Sequence, residues 1–181
     1  RMKNHIETLV GRYKGRVHAW DVVNEAIEDD GSYRKTQFYR IIGEEYIEMA
    51  FEMAHKADPE AELYYNDYNM VKEGKRAGVA KMIKNLQSKG LQIDGVGIQG
   101  HSTMGFPSIS ELEKSIEEYA ALGCKVMITE LDVSVLPNPW ESSAEVSINF
   151  EYNDQNDPYR DGMPADVADA LDKRYLDLFS L

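Results

Sequence analysis

The chain has 181 residues, 43% of them hydrophobic and 10% aromatic, and carries 20 Lys and Arg against 32 Asp and Glu for a formal charge of −12. That length and balance suit one globular domain over residues 1–181. The acidity argues against nucleic acid and anionic membrane surfaces as partners, since phosphate attracts clustered Lys and Arg, whereas a neutral polysaccharide meets no such repulsion.

The chain opens with Arg1-Met2-Lys3-Asn4 in a helical pattern and closes on Leu178-Phe179-Ser180-Leu181 in another. Both ends therefore look cut from something longer, and the N-terminus does not report the compartment. The first strand is expected over residues 17–25, short and apolar before its polar end. A helix should follow, with Phe38, Ile41, Ile42, Met49, Met53 and Ala57 as its buried stripe. The second strand falls at 63–66, where Tyr64 and Tyr65 belong to the core and sheet wall. Val79, Met82, Ile83 and Leu86 mark the next helix, and 95–99 the third strand.

Ile109, Leu112, Ile116, Tyr119 and Ala120 give a further helical stripe. Pro107-Ser108 precedes it, Ser108 and Glu111 fit a capping box, and Gly123 follows its end. Cys124, the one cysteine, stands just before the apolar fourth strand at 126–130 and reads as a buried thiol; no disulfide or multi-Cys metal site can form within the chain. The long irregular stretch 132–164 is acidic and rich in Asn and Pro. A loop of that length is usually functional or mobile. Its Asn153-Asp154-Gln155-Asn156-Asp157 run is no EF-hand, because Pro158 stands where that loop needs Gly. Val167, Leu171, Tyr175, Leu178 and Phe179 mark a last helix. No stretch approaches the 18 or so apolar residues of a membrane span.

Strands alternating with helices of this length imply βα units around a parallel sheet. A closed (β/α)8 barrel typically takes about 250 residues, so this would be an incomplete one. The polar residues of interest stand where the strands run out: Asn24 and Glu25, then Asn66 and Tyr68, then Gln99 and His101, then Glu130 and Asp132. In a βα barrel that rim is where active sites are built. Glycoside hydrolysis needs one carboxyl that is protonated to donate and one that is ionised to attack. Glu25 and Glu130 are the natural pair. Gln99 and Asn66 could hold the acid, His101 could orient Glu130 with Asp132 behind it, Asn24 could meet a sugar hydroxyl, and Tyr68 offers a flat face. Taken singly, each of these residues has an ordinary structural explanation as a turn, cap or core group. Their joint placement is harder to explain that way.

Trp20-Asp21-Val22-Val23-Asn24-Glu25, Tyr65-Asn66-Asp67-Tyr68-Asn69, Gly97-Ile98-Gln99-Gly100-His101 and Ile128-Thr129-Glu130-Leu131-Asp132 resemble, in order and spacing, the signatures of family 10 glycoside hydrolases, the endo-β-1,4-xylanases. The resemblance implies Glu25 as acid/base, Glu130 as nucleophile and Asn24 as a contact to the sugar 2-hydroxyl. It implies that His101 and Asp132 tune the nucleophile, that Gln99 and Asn66 lie near the acid/base, and that Tyr68 stands on the leaving-group side. It further implies a retaining mechanism without cofactor or metal, xylan or xylo-oligosaccharides as partner, and a secreted or periplasmic location. By the family pattern these strands are four to seven of an eight-stranded barrel, so the glycone-side groups of the other strands are absent from this sequence. A non-catalytic half-barrel that self-associates or binds xylan weakly is the competing expectation, since open sheet edges invite pairing. A β-glucan hydrolase and a metal site on His101, Glu130 and Asp132 are further alternatives; the metal site wants more histidines than this rim supplies.

Overall fold

In the computed structural model, which describes residues 1–137 and 153–181, helix α1 (Met2–Arg12) leads to strand β1 (Ala19–Asn24). Helices α2 (Gln37–Ile42) and α3 (Glu45–Ala57) precede β2 (Glu62–Asp67), and α4 (Glu73–Ser88) precedes β3 (Gly95–Ile98). The short β4 (His101–Thr103), α5 (Ile109–Ala120), β5 (Lys125–Ile128), β6 (Asp132–Ser134) and α6 (Ala165–Phe179) complete the order. Strands β1, β2, β3 and β5 pair in parallel in that sequence. Part of the long irregular stretch expected after Asp132, residues 138–152, lies outside the described residues. Among those described, no helix is long and apolar enough to cross a membrane.

The central strands carry the burial that a sheet covered on both faces requires. Leu63, Tyr64, Tyr65 and Asn66 of β2 and all four residues of β3 are buried. At the edge, β5 leaves Met127 and Ile128 exposed. The core fills the space between the sheet and α3, α4 and α5, with Ile47, Phe51, Leu63, Val79, Ile83 and Leu86 at its centre. Burying side chains of this size stabilises by about 1.5–3 kcal/mol each. Cys124 is buried, as its position implied.

Two expectations need correction. The stripe from Phe38 to Ala57 is not one helix face. Gly43, at φ 97°, ends α2, and α3 restarts at a new phase. The buried face of α3 is Tyr46, Ile47, Ala50, Phe51 and Ala54, whereas Phe38, Ile41 and Met49 are exposed. The second correction concerns α5, which buries Leu112, Ser115 and Tyr119 but leaves Ala120 at the surface. Its capping box forms as expected, with Ser108 accepting from the Glu111 N–H and Glu111 accepting from the Ser108 N–H.

Register explains why the polar strand ends converge. Asn24 pairs Asn66, Asn66 pairs Gly97, and Ile98 pairs Ile128. Past those positions the small parallel pair of β4 and β6 sets His101 opposite Asp132.

The loop between β1 and α2 is seated on α4 backbone to backbone. A Cβ on Gly78 would meet Gly31 O at 2.5 Å and Gly31 Cα at 2.7 Å, and one on Gly31 would meet Gly74 O at 2.5 Å. Gly78→Ala should therefore destabilise the protein by about 1–3 kcal/mol through overpacking, against the roughly 0.8–1 kcal/mol that alanine gains in an open helix. Urea denaturation measures the difference. A midpoint unchanged or raised would mean that the loop does not rest on the helix this closely.

Candidate active site

Asn24 closes β1, and Glu25 follows it with φ 54°, in the left-handed region. The Glu25 N–H donates to Asn66 O at 2.9 Å, so the turn stays tied to β2. One Glu25 carboxylate oxygen accepts from Gln99 Nε2 at 2.9 Å, the other from Arg34 Nη1 at 3.1 Å. Arg34 also donates through Nη2 to the Tyr68 hydroxyl at 2.6 Å, with its guanidinium 5.3 Å from the centre of that ring. Tyr68 is thus linked to Glu25 through Arg34.

Glu130 stands two residues past β5. Its N–H donates to Gln99 O at 2.8 Å, so Gln99 holds one glutamate by its side chain and the other by its backbone. Glu130 Oε1 accepts from Asn66 Nδ2 at 3.0 Å, and Oε2 lies 3.3 Å from His101 Nε2. The other ring nitrogen of His101 is 2.9 Å from Asp132. His101 therefore bridges two carboxylates, its orientation fixed by the β4–β6 pairing beneath it.

Asn66 meets Glu25 through its backbone carbonyl, while its side chain, expected to hold the acid, is turned elsewhere. Thr129 Oγ1 donates to Asn66 Oδ1 at 2.8 Å, which turns the amide nitrogen toward Asn24 Oδ1 at 2.8 Å and toward Glu130. Only the Asn66 backbone carbonyl serves Glu25. Asn66 and Gln99 are both buried, and buried amides with their hydrogen bonds satisfied hold fixed directions. By contrast, Glu25 is 34% exposed and Glu130 is 44% exposed, open to a ligand from the rim.

Below the rim, burial and then the charge of Glu130 push the Asp21 carboxyl above its usual range. Tyr64 is pushed up to about 12, first by burial and then by its hydrogen bond to Glu62. Trp20 is partly buried and packs against the core. Among the described residues, no group of three or more His, Cys, Asp or Glu is placed to hold a metal ion.

Arg34 and Thr129 escaped sequence reasoning. Thr129 adjoins Glu130 and could have been weighed. Arg34 gives no periodic signal: it reaches Glu25 because the intervening segment folds back through the Ile27–Tyr33 bridge. Chemically, the site holds two carboxylates on different strands in distinct settings. Glu25 has an amide and a guanidinium, Glu130 an amide and an imidazole.

The model of glycosyl hydrolase family 10 matches residues 1–170. Endo-1,4-beta-xylanase A of Xylanibacter ruminicola is 46% identical over 182 residues, an alignment covering 100% of this chain and 49% of that protein. A solved GH10 endoxylanase from a sugarcane soil metagenome superposes with a TM-score of 0.94 at 51% identity, covering 98% of this chain and 52% of the other. Xylanase XynB from Paenibacillus barcinonensis, solved with a conduramine derivative, gives 0.82 at 39% identity, covering 98% and 50%. The chain spans about half the length of these relatives.

Proposed function

The chain belongs to glycosyl hydrolase family 10, its βα units forming part of a (β/α)8 barrel, and on that premise we propose that it carries the reacting carboxylates of an endo-acting, retaining hydrolase of β-1,4-linked xylan. Glu130 is the nucleophile and Glu25 the acid/base. In the first step a Glu130 oxygen bonds to the anomeric carbon as the glycosidic bond breaks, and Glu25 gives its proton to the departing oxygen. In the second, Glu25 takes a proton from water, whose oxygen displaces Glu130 with net retention. His101, with Asp132 behind it, and Asn66 keep the nucleophile aimed. Asn24 is offered to the sugar 2-hydroxyl, and Tyr68 to the leaving-group side. No step calls for a cofactor.

The observation that carries this reading is Gln99, which holds Glu25 by its side chain and Glu130 by its backbone and so brings both carboxylates to one rim. Secretion or a periplasmic location is part of the proposal, because a polymer that cannot cross a membrane must meet its hydrolase outside.

Reducing-sugar release from xylan tests the function. A protein carrying this chain should release sugar, and Glu130→Gln should not. Undiminished release by that variant, or preferential release from a mixed-linkage β-glucan, would overturn the mechanism or the substrate respectively.

A further inference from the structure

Glu25 is held in a conformation that non-glycine residues seldom adopt, and beyond the Gln99 and Arg34 contacts to its carboxylate that turn needs the residues after it to be fixed. The Tyr65 hydroxyl fixes them. It accepts the Ala26 N–H at 3.0 Å and the Ile27 N–H at 3.1 Å, and donates to Asp67 Oδ2. A phenol oxygen offers one donor and two acceptor positions, so its capacity is filled.

Tyr65, Asp67 and Lys75 are all fully buried. The second oxygen of Asp67 accepts from the Lys75 ammonium at 3.1 Å and from the Tyr68 N–H at 2.9 Å. Lys75 also lies 3.4 Å from Asp29 and 3.9 Å from the centre of the Tyr68 ring. The hydroxyl of Tyr65 therefore has one acceptor to donate to, and that acceptor is anchored by a buried cation on α4. Burial, then the Asp67 charge, raises the phenol well above its ordinary range, so it stays a donor across working pH.

We infer that Tyr65 is a positioning residue for Glu25, acting through the Ala26 and Ile27 amides, with Asp67 and Lys75 setting the direction in which its hydroxyl donates. This rests on the assignment of Glu25 as acid/base. Tyr65→Phe removes one oxygen and leaves two buried N–H groups without an acceptor directly after Glu25, so the turn relaxes and the acid loses its aim. Protonation of a poor leaving group then suffers more than binding does. A role in stability alone would lower the active fraction and reduce turnover of every substrate alike.

The experiment compares xylan with dinitrophenyl β-xylobioside, whose leaving group needs little protonation, in a catalytically active preparation of the protein. For Tyr65→Phe, kcat/KM on xylan should fall about 10- to 100-fold, as displacement of a reacting group by an ångström does. On the dinitrophenyl substrate it should stay within about threefold, with KM for xylan little changed. Equal losses on both substrates, or none on either, would overturn the inference. Glu25→Ala run in parallel separates the two levels. If it shows no split between substrates, the acid/base assignment fails; if it splits and Tyr65→Phe does not, only the positioning role fails. Should Tyr65→Phe not fold, Asp67→Asn weakens the acceptor of the same hydroxyl and should give the same split, about 3- to 10-fold on xylan; its absence overturns the inference equally.

Discussion

Glu130→Gln is expected to lower kcat on xylan by at least about 10⁴-fold, the scale on which removal of a nucleophile abolishes covalent catalysis. The substitution isolates the chemistry because so little else changes. A glutamine amide keeps the shape of the carboxylate, and its oxygen can still accept from Asn66 Nδ2, which reaches Glu130 at 3.0 Å. The backbone bond to Gln99 O is untouched. Glu130 is 44% exposed, so exchanging charge for amide should leave the melting temperature nearly unchanged. What is lost is the negative charge that makes the carboxylate oxygen a nucleophile toward the anomeric carbon. Initial rates on xylan measure the loss. A 2-fluoro-substituted dinitrophenyl xylobioside, whose good leaving group lets the first step outrun the slowed second, should label the wild-type peptide containing Glu130 as dinitrophenolate departs and leave the variant unlabelled. Unchanged turnover, or labelling elsewhere, would remove Glu130 from the role.

The elements that the sequence made legible are those whose signal is local. Strands β2 and β3 are buried on both faces, so their runs of apolar residues stand out, and the polar residues that end them stand out in turn. The α5 capping box is a local pattern as well, and Ser108 and Glu111 form it as written. What could not be read depends on distant partners. The direction of the Asn66 amide is set by Thr129, 63 residues away. The Tyr65 hydroxyl, on a residue whose burial the sequence did imply, finds Ala26 and Ile27 across 39 and 38 residues. Strands β4 and β6 are three residues each, too short for any period to show, although their pairing brings His101 opposite Asp132. The error at α2 and α3 has another origin. Apolar residues on both sides of Gly43 can be threaded onto one helical stripe, and only the break at Gly43 reveals that the phase is reset.

For Glu25→Ala the expected signature is selective. On xylan kcat/KM should fall by about 10²- to 10⁴-fold, the usual contribution of a positioned general acid. On dinitrophenyl β-xylobioside it should fall by less than about tenfold, because that leaving group departs as an anion without needing the proton. Loss of the same residue as base slows the second step, so the glycosyl-enzyme should accumulate. Added azide, a nucleophile that needs no deprotonation, should then raise kcat and yield a glycosyl azide of retained configuration. The surroundings predict that this variant stays folded. Glu25 is 34% exposed and Arg34 26% exposed, and the guanidinium keeps Glu28 at 3.4 Å and the Tyr68 hydroxyl at 2.6 Å after its partner is gone. An ion pair with both partners about a third exposed is worth on the order of 1 kcal/mol. Equal losses on both substrates in a folded variant would take the acid role away from Glu25, because losing a proton donor weighs on the poor leaving group and hardly on dinitrophenolate. The azide result is independent of that comparison. It depends on a covalent intermediate waiting for a base, so rescue without discrimination between leaving groups would leave Glu25 as base alone and require another proton donor for the departing oxygen.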